Sequence, residues 1–193
     1  MTQKKWFIPV VIIAAIVLSA LIFVSWGSGI YDKSVSLQEE VNAQWGNVQA
    51  SYQRRADLIP NLVATVKGAA ANENKILREV TQARAGIVNA KTPEEMELMG
   101  KRINTAINLA FEAYPQIRST QNFADLQAQL EGTENRVGVA RKNYNEAVKT
   151  FNQHIRGFFR KIALKIFADQ DEFAKREMFE SSKGAENAPA VNF

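Results

Sequence analysis

The feature that most constrains this chain is an uncharged apolar run near its start. Residues 6–26 read WFIPVVIIAAIVLSALIFVSW, without a single charged side chain. At 1.5 Å per residue, a helix of this length spans about 30 Å, the thickness of the hydrocarbon core of a bilayer. Tryptophan at both ends of the run is typical of the membrane–water interface. The run therefore predicts one transmembrane helix over residues 6–26.

A retained anchor and a cleaved signal peptide are the two interpretations of this run. Its N-terminal position and the small residues Ser19 and Ala20 fit a signal peptide. The apolar core is longer than that of most signal peptides, however, and bulky side chains at 21–23 follow where a cleavage site needs small ones. We therefore favour a retained anchor.

Basic residues on the two flanks predict how the anchor is oriented. Lys4 and Lys5 precede the run, whereas Lys33 is the one basic residue in the nearest stretch after it. Because cytoplasmic flanks carry the excess of positive charge, residues 1–5 are expected in the cytoplasm and the rest of the chain outside it.

Composition narrows the chemistry of the remaining chain. The absence of cysteine excludes disulfides, thiolate catalysis and Cys-ligated zinc. The 24 basic and 20 acidic residues are interspersed, so the net charge of +4 indicates a solvated helical surface rather than a nucleic-acid footprint. The sequence also has no phosphate-binding loop or dinucleotide motif. We expect no cofactor and no nucleic-acid partner.

Beyond a short joint at residues 27–34, apolar residues recur at alternating steps of four and three. Two glycines and a serine are expected to let this joint bend. The spacing then holds from residue 41 to residue 87 without a slip, which predicts one long helix with coiled-coil-like packing. Only Arg55 and Glu73 break its apolar character. The seam consists of Val41, Trp45, Val48, Tyr52, Arg55, Ile59, Leu62, Val66, Ala69, Glu73, Ile76, Val80, Ala83 and Ile87.

Start and stop signals predict two further helices. Thr92 as N-cap and Glu95 three residues later form a capping box for a helix that ends before Pro115. Asn122 offers a second N-cap, and a three-four spacing continues from there to His154.

The apolar stripes on these helices are removed from water only if the helices pack against one another. The sequence has no alternating apolar and polar pattern typical of a strand. The predicted fold class is therefore all-α, an antiparallel four-helix bundle over residues 35–157 with long coiled-coil-like helices behind one transmembrane helix.

Residues 158–180 carry aromatic and basic side chains at helical spacing. We interpret them as a basic amphipathic helix with three open roles: the last helix of the bundle, a helix on a membrane surface, or a partner-binding segment. Residues 181–193 are small and polar and are expected to form a flexible tail. The candidate membrane or partner contacts are Phe158, Phe159, Arg160, Lys161, Ile162, Lys165, Ile166 and Phe167.

A cluster of polar residues on the long helices is the candidate site. Arg55 lies on the seam, and because a buried unpaired charge is costly, we expect Glu134 or Asn135 to pair with it and fix helix register. Alternatively, these charges reach the surface along their aliphatic stems. The predicted inter-helix polar lock comprises Arg54, Arg55, Asp57, Asn61, Glu134, Asn135, Arg141, Tyr144 and Asn145.

Pro60 stands inside the seam, which passes through it without losing phase. Its ring removes one backbone donor and leaves the carbonyl of Ala56 without its helical partner. We therefore predict a kink in a continuous helix rather than a helix end.

Catalytic and metal-binding constellations are missing from the sequence. His154 is the one histidine, and its place on a helical seam favours a packing role over catalysis or metal binding. Without Glu-x-x-His pairs a di-iron site lacks its ligands. We expect no catalytic residue and no metal site, and no enzymatic activity.

Several blocks of the sequence resemble the LemA family. They are RRADLIPNLVATVKG at 54–68, AR at 83–84, AYP at 113–115, NFADLQAQLEGTENRVGVARKNYNEAV at 122–148 and FN at 151–152. The resemblance covers residues 30–157 and implies an all-α antiparallel bundle carried outside the cytoplasm by one N-terminal membrane helix. It implies no enzymatic activity, cofactor or catalytic residue.

These observations predict a single-pass protein of the bacterial inner (cytoplasmic) membrane with its helical domain in the periplasm or outside. Its expected function is that of a non-enzymatic scaffold or adaptor in the cell envelope, with the lipid bilayer, other copies of itself and other envelope membrane proteins as partners. Self-assembly is expected because a seam about 70 Å long exceeds the helix available to cover it. The alternatives are a ligand-sensing or signalling input module and a membrane-remodelling protein that uses residues 158–180.

Overall fold

The structure, a computed structural model, describes residues 4–65, 70–113, 121–169 and 171–180, and all the regular secondary structure in these ranges is helical. Its helices are α1 (Lys4–Thr65), α2 (Ala70–Asn89), α3 (Pro93–Ala113), α4 (Gln121–Arg156) and α5 (Phe158–Phe167). No strand occurs within these ranges, so the all-α prediction is confirmed.

Some predictions fall on other parts of the chain. The helix end before Pro115, the flexible tail at 181–193 and the side chains of Asn61 and Asn122 lie outside the described residues.

Helix α1 includes the apolar run and continues beyond it without a break. It is the one helix in the described ranges that is long and apolar enough to cross a membrane. All side chains from residue 6 to residue 26 are exposed, so the protein itself gives this surface no cover.

The bendable joint predicted at residues 27–34 is not observed, because these residues belong to α1. Gly27 is buried, and the ring of Phe167 occupies the space that a side chain at this position would need. The glycine therefore permits a close approach between two helices rather than a bend. Similarly, α1 continues through Pro60 to Thr65, so the proline does not end the helix.

The chain forms two compact units. One contains the described residues of 1–40 and 149–176, and we call it the anchor unit. The other contains those of 41–148 and 177–180, and we call it the core unit. Helices α1 and α4 contribute residues to both.

In the core unit, α2 runs antiparallel to α1. The side-chain amide of Gln49 donates to the carbonyls of Ile87 and Ala90, at 3.1 and 3.4 Å, and Arg84 pairs with Asp57 at 2.9 Å. The single helix predicted over 41–87 is therefore wrong, because the chain reverses between Thr65 and Ala70. A reversal lets two apolar stripes cover each other, whereas one straight helix would leave both in water.

Helices α2 and α3 form a second antiparallel pair. Thr92 accepts a hydrogen bond from the Glu95 amide at 3.2 Å, and the Glu95 carboxylate accepts one from the Lys91 amide at 2.7 Å. Thr92 and Glu95 therefore cap α3 as expected, except that Glu95 binds the amide of the residue before the N-cap, and α3 starts where the sequence predicts. The two helices approach closely at Gly86, where the Met99 side chain occupies the space of a missing Cβ.

Helix α4 completes the core unit by running antiparallel to α1. Arg55 on α1 contacts Glu134 on α4, and the rings of Trp45 on α1 and Tyr144 on α4 meet at a tilt with their centroids 5.2 Å apart. The buried side chains of the core unit come from all four helices. They include Val48, Tyr52, Ala56, Ile59, Val80, Ala83, Ile87, Met96, Ile103, Ala106, Leu130, Val137, Ala140 and Val148.

Residues 158–180 do not form the single helix predicted from their spacing. Helix α5 ends at Phe167, residues 171–173 form a turn, and residues 174–180 are neither helix nor strand. Asp171 has a φ of 71°, and the Glu172 carboxylate accepts hydrogen bonds from the Asp169 amide and the Tyr31 hydroxyl. These contacts stabilise a turn at the point where a longer helix would have continued.

Spin labels test the reversal between α1 and α2. In the cysteine-free chain, Ala50→Cys and Val88→Cys place labels on exposed sites, which a continuous helix would hold about 57 Å apart. We expect a distance below about 30 Å, because packed helices lie about 8–10 Å apart. Labels at Ala124 and Lys142, both on α4, should read about 27 Å and calibrate the measurement. A distance near 57 Å for the first pair would contradict the fold.

Candidate functional site

The predicted polar lock does not form one cluster but separates into pairs within the core unit. Arg55 pairs with Glu134, Asp57 pairs with Arg84 at 2.9 Å, and Arg141 pairs with Glu97 at 2.5 Å. Each pair joins two different helices. The ion pairs therefore tie α1 to α4, α1 to α2 and α3 to α4.

Arg55 is the most buried charged residue of these pairs. Its side chain is 13% exposed against 57% for Glu134, and its Nε atom is buried without a partner in the described part of the chain. Burial lowers the pKa of Arg55 from its ordinary value, although a guanidinium stays charged at neutral pH. The charge of Arg55 thus has one exposed ion-pair partner, on another helix, so the pair joins α1 to α4.

Two predicted members lie away from these pairs. Arg54 and Asn135 are exposed on the surfaces of α1 and α4. Arg55 therefore takes Glu134 rather than Asn135 as its ion-pair partner.

Tyr144 and Asn145 have a role that the sequence did not indicate, because they hold the main chain of residues 177–179. The Asn145 side chain donates to the Phe179 carbonyl at 2.9 Å and accepts from the Phe179 amide at 2.8 Å. The Tyr144 hydroxyl donates to the Glu177 carbonyl at 3.1 Å. One face of α4 thus binds a non-helical segment through its main chain.

A second asparagine makes the same contact within the anchor unit. Asn152 donates to the Arg176 carbonyl at 2.8 Å and accepts from the Arg176 amide at 3.0 Å. Asn152 therefore fixes the main chain of residue 176 in the anchor unit in the way that Asn145 fixes that of residue 179 in the core unit.

Phe179 fixes this segment through its side chain. The ring is buried, lies 5.9 Å from Trp45 and 5.5 Å from Tyr144 between centroids, and has the guanidinium of Arg141 4.7 Å above it. Stacking and cation–π contacts of this kind each contribute about 0.5–1.5 kcal/mol. We call these contacts of α4 with the non-helical segment the clamp. The rings around Phe179 select for its side chain, whereas the asparagines bind main-chain groups and select for no side chain.

Helix α5 presents an apolar face to solvent in the anchor unit. Phe158 and Phe159 are 74% and 67% exposed, and Ile162 and Ile166 are also exposed. Ala163 is buried, and Phe167 packs on Phe23 with ring centroids 5.7 Å apart. Phe23 belongs to the apolar run of α1, so the last residue of α5 lies beside the end of that run.

Charged residues flank the exposed face of α5. Arg160, Lys161 and Lys165 are all exposed, in agreement with an amphipathic helix. The helix starts after Gly157, whose extended conformation separates it from α4 and whose carbonyl accepts from the Lys161 amide at 2.7 Å. Aromatic residues with adjacent cations are typical of helices at a lipid interface.

His154 lies half-buried on the anchor-unit part of α4. Burial lowers its pKa from the ordinary value of 6.5, a hydrogen bond with the main chain of Ile30 raises it, and the nearby cations Arg160 and Lys33 lower it. Its Nε2 atom is buried without a partner among the described residues. In those ranges no group of three or more acidic or histidine side chains is placed to hold a metal ion.

Together these features define a helical protein with one candidate membrane-spanning stretch and an amphipathic helix packed at the end of that stretch. The chain belongs to the LemA family, whose model matches residues 44–193. The match extends beyond the limit of 157 set by the sequence resemblance, so α5 and the clamped segment lie inside the family's pattern.

Individual proteins that match this chain share about a quarter of its residues over the matched stretch. A protein named LemA from Metamycoplasma hominis is 25% identical over 63% of this chain and 58% of its own length. The magnetosome proteins MamQ 1 and MamQ 2 from Paramagnetospirillum magneticum are each 26% identical over 72% of this chain and 62% of their own length. The chain thus spans about three fifths of the length of these relatives.

Removing the Asn145 clamp tests how strongly α4 holds the extended segment. Asn145→Ala should lower the free energy of unfolding by about 1–3 kcal/mol and speed hydrogen exchange at the Phe179 amide, because two main-chain hydrogen bonds are lost. Asn143→Ala, an exposed neighbour on the same helix, corrects for the gain in helix propensity. Equal stability and exchange in the two variants would show that the clamp contributes nothing.

The pKa of His154 predicts a pH dependence of stability. Below about pH 6.5 the unfolded chain binds a proton that the folded protein resists, so the free energy of unfolding should fall as pH drops. His154→Gln removes this effect, and as the sequence has one histidine no other imidazole masks it. Thermal unfolding at about pH 7.5 and 5.5 should therefore show a larger loss for the wild type than for the variant. Parallel losses would refute the assignment.

Proposed function

We propose that this chain is a membrane-anchored, non-enzymatic scaffold or adaptor of the bacterial cell envelope. The observation that carries the proposal is the contact of Phe167 with Phe23 and Gly27, which sets the exposed apolar face of α5 beside the end of an exposed apolar run. One bilayer can cover both surfaces, whereas water would cover neither without cost.

The core unit supports a structural rather than a catalytic role. We propose that α2, α3 and the core-unit parts of α1 and α4 form an antiparallel four-helix bundle, with neighbouring directions given by the pairs Asp57–Arg84, Gln82–Arg102 and Arg55–Glu134. The ion pairs and hydrogen bonds described above for the candidate site join helices of this unit to one another or hold residues 177–180. The relatives named as magnetosome proteins are components of a cellular structure, which also supports a structural role.

The orientation of the protein follows from its flanking charges. We propose that residues 1–5 lie in the cytoplasm and that the helical domain lies in the periplasm or outside, with α5 on the outer surface of the inner membrane. Other envelope membrane proteins are then accessible as partners.

Self-assembly was predicted because residues 41–87 were expected to form one long helix with an uncovered apolar seam. The structure does not leave this seam uncovered, because α1 and α2 cover each other. We retain self-association as a proposal on the large apolar side chains that the described part of the core unit exposes, Val88, Leu98, Val139 and Met178. Light scattering of the detergent-solubilised chain at the mass of one copy would contradict it.

A membrane-impermeant maleimide tests anchoring and orientation together. A single cysteine at Lys142 should react in intact spheroplasts, whereas one at Thr2 should react only after lysis, because the membrane separates the two sites. Both variants should stay in the membrane fraction after alkaline extraction. Labelling of Thr2 and protection of Lys142 in intact spheroplasts would reverse the proposed orientation, and release by alkali would refute the anchor.

A further inference from the structure

A cavity of about 660 Å³ lies within the anchor unit, between the end of α4, helix α5 and described residues of the turn that follows it, from Ala168 to Asp169 and from Asp171 to Ala174. It is partly open to solvent, and its volume is that of a small-molecule site. Neither the polar pairs of the core unit nor the clamp on residues 176–180 uses it.

Three cations line this cavity. They are Arg156 from the last turn of α4 and Lys161 and Lys165 from α5, one turn apart on the same side of that helix. No ion pair joins any of the three to a carboxylate in the described part of the chain. Unpaired cations that converge on one concave surface favour an anion such as a phosphate group.

The remaining lining specifies more than a bare anion. Asp169 and Asp171 stand on the side of the turn and can accept hydrogen bonds from hydroxyl groups, while Leu164 and Phe173 supply apolar surface. Three cations and two carboxylates leave an excess of one positive charge, which matches a singly charged phosphodiester that carries hydroxyl groups. A glycerophospholipid headgroup has this combination, and its acyl chains require an adjacent apolar environment.

The position of α5 supplies that environment. Its exposed side chains Phe158, Ile162 and Ile166 lie on the face next to Lys161 and Lys165, and Phe167 at its end contacts the apolar run of α1. We propose that the cavity binds the headgroup of an anionic phospholipid, with Arg156, Lys161 and Lys165 on the phosphate and Asp169 and Asp171 on headgroup hydroxyls. This inference rests on the proposed membrane anchoring.

Native mass spectrometry of the detergent-solubilised full chain tests the site. Phosphatidylglycerol should be retained in preference to phosphatidylcholine, which lacks hydroxyl donors and net charge. The variant Arg156→Gln, Lys161→Gln, Lys165→Gln should bind phosphatidylglycerol at least about tenfold more weakly, since each cation near a phosphate contributes to affinity.

A second triple variant removes the same charge elsewhere. Arg136→Gln, Lys142→Gln, Lys149→Gln changes three exposed cations of α4 that do not line the cavity, and it should bind like the wild type. Circular dichroism melts of both variants verify that they fold. Equal loss in the two variants, or equal retention of the two lipids by the wild type, would overturn the site.

Soluble ligands separate a lipid headgroup from a free anion. Glycerol 3-phosphate and inorganic phosphate at millimolar concentration should not displace the bound lipid, because they lack acyl chains. Displacement by either would overturn the lipid assignment in favour of a soluble phosphate ligand. Failure of the anchor itself would appear separately, as release of the wild type from membranes by alkaline extraction.

Discussion

The structure depends on one uninterrupted helix, α1, whose two parts need different surroundings. Over residues 6–26 every side chain of α1 is exposed and apolar or small, a surface that suits the hydrocarbon core of a bilayer. From Val41 onward the same helix has one buried stripe and a polar surface, as expected for a helix covered by protein. Gly27 lies where the first pattern ends, and its missing side chain admits Phe167. The packing of α5 is therefore a direct consequence of how α1 leaves the apolar run.

Part of the fold could be read from the sequence because it rests on local signals. The apolar run, the all-helical class and the capping box of Thr92 and Glu95 depend on residues close together in the chain. The reversal between α1 and α2 could not be read from periodicity. Both helices of a hairpin turn their stripes toward the same core, so a three-four spacing continues from one helix to the next, and Pro60, the one proline of residues 41–87, lies within α1 rather than at its end.

The candidate sites were harder to predict because their partners are not local. Phe173 and Phe179 fit a helical face by spacing, yet one packs on Tyr31 and the other against Trp45 and Tyr144, after the chain has left the helix. Asn145 was in the predicted set for the wrong reason, since its partner is a main chain and not a charge. An asparagine that binds main-chain groups has no complementary side chain elsewhere in the sequence. The role of Asn152 could therefore not be predicted from the sequence. The Arg55–Glu134 pair was accessible because a seam charge demands an opposite charge.

We propose that α5 lies at the surface of a bilayer beside the anchor. Spin labels introduced singly along Phe158–Phe167 of the full chain in lipid nanodiscs report this most directly, through their relative accessibility to oxygen and to a water-soluble nickel chelate. We predict a helical period with oxygen accessibility highest at 158, 159, 162 and 166, while a label at Lys149 stays accessible to the chelate. Uniform chelate accessibility along α5 would contradict the account.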